Sequence, residues 1–184
     1  MKKTYSIARL LFVFCCILAG YGCKKENPLV SKTPSVDSFL PMQVGNLWYS
    51  NKENYTEIKD SVLIGGQLFY KFFSLIGGDA TATSYMRIDE RGRLIVSDPN
   101  KPSFIAVRAD FNAKVGDKFF TIGDGTDIDN EVTMVQKSDS EITFSFDAIY
   151  HPNLKGHPYQ VKYIKGQGFP GNWAKLKING VVYK

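Results

Sequence analysis

Hydrophobic and polar positions divide the chain into three stretches. An apolar run, broken only by Arg9, extends from Ala8 to Ala19 behind Lys2 and Lys3. Residues 24 to 38 are mostly polar, contain Pro28 and Pro34, and show no period. From Phe39 onward, short apolar and aromatic runs alternate with turn residues. No long stretch of this third part carries the 3.6-residue period of an amphipathic helix.

The pattern after Phe39 predicts strands. Residues from Trp48 to Ile58 alternate imperfectly and read as one polar-rich strand. Ser61–Ile64 and Leu68–Phe73 flank Gly65-Gly66, a hairpin signal because glycine supplies the positive φ that a tight turn requires. Tyr85–Ile88 and Arg93–Val96 flank Asp89-Glu90-Arg91-Gly92, and Glu131–Lys137 and Glu141–Ile149 flank Ser138-Asp139-Ser140. Phe104–Ala109, Lys118–Ile122, Tyr159–Lys165 and Trp173–Ile178 are further candidates, and Asn179-Gly180 turns the chain into Val181–Tyr183. The expectation is an all-β domain over 39–184: a single antiparallel meander of about ten short strands in a curved sheet, forming a half-barrel, a barrel or a sandwich. One short pattern recurs: Val44-Gly45-Asn46-Leu47-Trp48-Tyr49 returns as Val115-Gly116-Asp117-Lys118-Phe119-Phe120, a turn leading into a strand headed by paired aromatics.

The first stretch changes where this domain is expected to reside. A charged beginning and a short apolar run have the composition of an export signal. The uninterrupted part, Leu10 to Gly20, is roughly half of the about 20 residues a membrane helix needs. Gly20-Tyr21-Gly22-Cys23 resembles the lipobox of bacterial lipoproteins, with Gly22 at the small site before the cut and Cys23 at the lipid-acceptor position. Residues 1–22 then read as a lipoprotein signal peptide, and 23–38 as a lipidated tether and linker. Of the three cysteines, Cys15 and Cys16 leave with the leader, so the mature chain has no pair for an internal disulfide and no cysteine cluster for a metal. Acylation would consume the remaining thiol.

Charge narrows the choice further. The net charge of +5 comes from the leader and tether, since basic and acidic residues are equal in number from Val36 onward. That balance gives no one-sided field of the kind nucleic acid requires.

The segment Phe39-Leu40-Pro41-Met42-Gln43-Val44-Gly45-Asn46-Leu47-Trp48-Tyr49, followed by Asp60 to Tyr70, resembles the opening of uncharacterised Bacteroidetes-type envelope lipoproteins with a Leu-Pro-x-x-x-Gly-Asn-x-Trp motif. Arg87 to Gly92, Phe111 to Phe120 and Tyr163 to Gly168 resemble their middle and end. The resemblance implies an envelope-anchored β domain and supplies no catalytic residue; the chain is expected to be lipid-anchored to the outer membrane, on either leaflet, and to carry no cofactor.

Residue chemistry adds little to this. The acidic loop Asp124 to Glu131 offers alternate oxygen ligands suited to Ca²⁺, but also reads as a solvated loop. His151 and His157, with Asp147 nearby in sequence, lack a third ligand fixed by spacing. No Gly-x-Ser-x-Gly elbow presents a nucleophile. The expected function is a non-enzymatic module binding a small apolar ligand, a glycan or an envelope protein. The alternatives are an assembly component of an envelope complex and a glycan hydrolase. Phe69, Phe72, Tyr85, Phe104, Phe144, Phe146 and Tyr163 would line any cavity or fill the core.

Overall fold

The structure is a computed structural model that describes residues 38–183; the expected leader, the expected lipidation position Cys23 and the expected tether up to residue 37 lie outside the described residues. All regular structure among the described residues is strand, and two open, curved antiparallel sheets share one core. The strands are β1 (Leu47–Asn51), β2 (Asn54–Ile64), β3 (Gln67–Ile76), β4 (Ala80–Ile88), β5 (Arg93–Asp98), β6 (Lys101–Asp110), β7 (Lys118–Phe120), β8 (Glu131–Lys137), β9 (Glu141–Asp147), β10 (Tyr159–Ile164), β11 (Lys175–Ile178) and β12 (Val181–Tyr183). The eight-stranded sheet has the order β12-β11-β1-β2-β3-β4-β5-β6, and the four-stranded sheet the order β10-β9-β8-β7.

The single meander expected from sequence is therefore two meanders, β1 to β6 and β7 to β10, after which β11 returns to pair with β1. The single strand read from Trp48 to Ile58 is two strands. Asn51 breaks it, because its side-chain oxygen accepts the Glu53 N–H at 2.9 Å and the Asn54 amide at 3.3 Å, folding the backbone into a turn. A second turn, at Gly77-Gly78, extends the next hairpin and adds residues 80–84 to β4. β7 is shorter than expected and stops at Phe120, since residues 121–125 wrap around Asp129 instead.

The recurring turn-and-strand pattern is reproduced in hydrogen bonds. Asn46 N–H donates to the Gln43 carbonyl at 3.0 Å and Gly45 N–H to Ile58 at 2.8 Å. In the second copy, Asp117 donates to Lys114 at 3.0 Å and Gly116 to Met134 at 2.8 Å. Gly45 and Gly116 have φ of 88° and 93°, a conformation that strongly favours glycine. Each copy leads into the first strand of its sheet, and each sends an aromatic, Trp48 or Phe119, inward.

The core lies between the sheets. Trp48, Ile58, Phe72, Met86 and Leu94 of the larger sheet meet Val132, Met134, Ile142, Phe144, Phe146 and Tyr163 of the smaller one. Trp48 is its centre: the indole stacks near Phe72 (6.2 Å between centroids), meets Phe169 edge-on at 5.3 Å, and donates its N–H to the Gln167 carbonyl at 2.8 Å. Buried indole nitrogens need such a partner, and the turn 165–169 supplies it. Gly168 fits against this ring because a Cβ there would meet Trp48 at 3.0 Å and Leu40 at 2.9 Å.

Candidate binding face

Six of the seven aromatics singled out from sequence divide into two groups. Phe72, Phe144, Phe146 and Tyr163 are buried in the core between the sheets, where rings pack against rings. Burial pushes the Tyr163 phenol above its ordinary pKa, as expected for a hydroxyl removed from water. Phe69 and Tyr85 belong instead to the opposite, outer face of the larger sheet, together with Ile64, Val62, Ile95 and Val107. Phe104 lies half-buried on β6 with Lys101 Nζ 5.9 Å from its ring centroid.

The polar candidates are used structurally. Asp129 is fully buried and accepts from Thr121 Oγ1 at 3.0 Å, Ile122 N–H at 2.8 Å, Gly123 N–H at 2.9 Å and Gly125 N–H at 3.5 Å. Burial acts to raise this carboxyl, but the converging donors outweigh it and hold the pKa below the usual carboxylate value. Asp124 caps its own turn through Thr126 N–H and Oγ1. His151 Nδ1 accepts from Asn153 N–H at 3.1 Å, and Asp147 accepts from Gly156 N–H at 3.0 Å. Among the described residues, no three His, Cys, Asp or Glu side chains are grouped to hold a metal ion.

Strand registers assign what the outer face presents. Tyr49 lies opposite Tyr55, with ring centroids 6.3 Å apart, and Tyr55 lies 6.0 Å from Phe73. Lys59 stands at the bulge between Ile58 and Asp60, 5.1 Å from the Phe73 centroid, and pairs with Glu57 at 2.8 Å. That bond to Glu57 raises the lysine pKa, against the smaller opposing effect of burial. Lys71 pairs in register with Tyr85, and Arg87 with Ile95. The Arg87 guanidinium carbon sits 5.5 Å from the Phe69 ring centroid, which places the cation on an aromatic floor. An open groove of about 220 Å³ lies at the end of the β1–β3 hairpins, lined by Ser50, Tyr55, Thr56, Ser74, Leu75 and Trp173. It falls below the roughly 300–1,000 Å³ of a small-molecule pocket.

Lys71, Arg87 and the Tyr49–Tyr55–Phe73 row were not read from sequence as a site. The usable signal was the alternation Thr81, Thr83, Tyr85, Arg87 against Ala82, Ser84, Met86, which separates one face of β4 from the other. An open, curved, two-sheet all-β domain is the class that this architecture defines. No family, no curated protein and no solved structure matches the chain.

Proposed function

We propose that this chain is a non-enzymatic binding module of a bacterial cell envelope, anchored to the outer membrane through acylated Cys23, which engages its partner with the outer face of the eight-stranded sheet. The observation that carries the reading is the division of apolar side chains between two places. The interior is packed with its own aromatics, which argues against a small apolar ligand held inside. The outer face has a second apolar cluster whose Ile64, Phe69 and Ile95 are themselves buried, and beside it a row of half-buried aromatics, Tyr49, Tyr55 and Phe73, that the core does not use. Aromatic residues on an accessible surface beside cations are typical of recognition surfaces. The two most buried carboxylates, Asp89 and Asp129, are both saturated by donors, so neither supports a hydrolase.

Two measurements test the proposal. Labelled palmitate should be incorporated by the full chain and not by Cys23→Ala. A photo-cross-linking residue at Tyr55 should capture a partner in cells, while one at Val135, exposed on the smaller sheet, should not. Equal capture from both positions, or from neither, would remove the outer face from the reading.

One observation favours assembly instead. β12 is an edge strand whose Val181, Val182 and Tyr183 are all about half exposed, a template on which another strand can add. Charging Val182 as Val182→Lys would dissociate an envelope complex built through that edge and leave partner capture at Tyr55 intact.

A further inference from the structure

We propose that Arg87 and Lys71 form the anion-binding end of a site for an acidic saccharide, a sugar chain bearing carboxylate, sulfate or phosphate groups, that runs along β4 on the outer face of the larger sheet. This rests on the reading of that face as the binding surface and adds the chemistry of its ligand.

The first observation is an incompletely satisfied guanidinium. Arg87 is half-buried and stacked on Phe69, yet its Nε is a buried donor with no acceptor. Buried polar groups are nearly always paired, because leaving one unpaired costs free energy. Neither Arg87 nor Lys71 belongs to the four ion pairs among the described residues. Of the carboxylates nearest them in the sheet register, Glu57 holds Lys59 and Asp89 holds Arg93, while Asp60, directly opposite Lys71, has its Oδ1 on the Ser61 N–H and forms no ion pair with the lysine. Two cations on one face of the sheet therefore stand outside the ion pairs among the described residues.

Geometry brings the two together. Lys71 lies directly opposite Tyr85, and Arg87 is two residues along the same strand, so the pair is a diagonal cross-strand neighbour that long side chains can bridge. A guanidinium fork beside an ammonium suits an oxyanion, which the fork can take with two parallel hydrogen bonds.

The rest of β4 identifies what carries the anion. Tyr85, Thr83 and Thr81 follow Arg87 on the same face, a line of hydroxyls that spans about 20 Å from Thr81 to Arg87. Each hydroxyl both donates and accepts, which matches the hydroxyls of a sugar ring. Thr81 and Thr83 are exposed, and Phe73 and Leu75 stand beside them in register on β3. A lipid surface would use the cations and leave the hydroxyl line idle, so the saccharide accounts for more of the face.

The test is biolayer interferometry with the full chain in detergent micelles, at about 0.15 M salt to screen diffuse charge. Immobilised polygalacturonate, dextran sulfate and neutral dextran are the probes. Binding to at least one acidic polymer and not to dextran is expected. Arg87→Gln and Lys71→Gln should each weaken it about tenfold or more, and Lys155→Gln, on an exposed loop of the other sheet, should leave it unchanged. Thermal melts of the variants establish that they fold, and Lys71→Gln carries the result if Arg87→Gln does not. Absence of binding to either acidic polymer overturns the proposal, as does equal weakening by Lys155→Gln. Stronger competition for polymer binding by soluble glycerophosphoglycerol, the headgroup of phosphatidylglycerol without its acyl chains, than by galacturonate oligomers overturns it in favour of a lipid headgroup. Partner capture at Tyr55 without polymer binding would remove the saccharide and leave the binding face standing.

Discussion

Replacing Asp129 with alanine removes the group around which residues 121–125 are wrapped. The carboxylate receives three short hydrogen bonds, from Thr121, Ile122 and Gly123, and a longer one from Gly125. A hydrogen bond to a charged group contributes about 1.5–3 kcal/mol net, and each buried donor left unpaired costs about 1–3 kcal/mol. Desolvation of the carboxylate offsets part of that gain. The expected loss for Asp129→Ala is about 3–5 kcal/mol, against a total stability of about 5–15 kcal/mol for a domain of this size. Asp124→Ala, which removes only bonds to Thr126 on the exposed loop, should cost within about 1 kcal/mol. Urea unfolding of the full chain, followed by tryptophan fluorescence, gives both values, since Trp48 and Trp173 both lie in the described domain. Repeating the titrations with calcium adds a second arm. Both Asp129 oxygens already accept N–H or O–H donors, so added calcium should leave the wild-type midpoint unchanged. The reasoning is refuted if Asp129→Ala costs no more than Asp124→Ala, or if calcium raises the midpoint of the wild type and not of the variant.

Three further outcomes follow from the same structure. Trp48→Ala removes the central indole, its contacts with Phe72 and Phe169 and its bond to Gln167, and should cost about 3–5 kcal/mol in the same urea assay. Gly168→Ala places a methyl within 3.0 Å of Trp48 at a φ of 88°, so it should destabilise by about 2–4 kcal/mol, whereas Gly180→Ala, with open space around it, should cost less. For Asp89 and Asp129, burial raises the carboxyl pKa but hydrogen bonds, and for Asp89 also the Arg93 guanidinium, hold it below the ordinary value. The unfolded chain then takes up protons first as pH falls, so their contribution is complete above about pH 5 and is lost as pH drops through the folded-state values. Urea midpoints should be flat from neutrality to about pH 5 and fall below it, more shallowly in Asp89→Asn or Asp129→Asn.

What could be read from the sequence was whatever a local signal determines. Gly65-Gly66, Ser138-Asp139-Ser140 and Asn179-Gly180 each turn the chain where expected, because a positive φ or a short polar loop is a property of a few adjacent residues. The division into two sheets was not legible. It depends on β6 making no ladder with β7, and on β11 crossing back to β1, neither of which has a signature within a short window. The Asn51 turn was hidden because Trp48 to Ile58 alternates on both sides of it, and only the side-chain bonds of Asn51 reveal the reversal. The acidic loop was ambiguous for a similar reason. Carboxylate spacing alone does not tell a cation site from an aspartate that collects backbone N–H groups, and Asp129 does the second. The outer-face cations were invisible because Lys71 and Arg87 become neighbours only through the β3–β4 register.

The placement of β1 sets an order of events for the folding chain. β1 is an interior strand whose partners are β2, close in sequence, and β11, far from it. Asn46, just before it, donates its side-chain amide to the Pro41 carbonyl and accepts the Asn179 N–H at 2.7 Å across 133 residues. Until residues 175–179 arrive, β1 is an unpaired edge and the Asn46 oxygen lacks its donor. Closing so long a loop is slow relative to forming hairpins. The β2–β6 and β7–β10 hairpins can therefore assemble early, while the large sheet stays open along β1 until the last strands dock. A chain emerging from one end in order would hold that unpaired edge exposed for the whole interval.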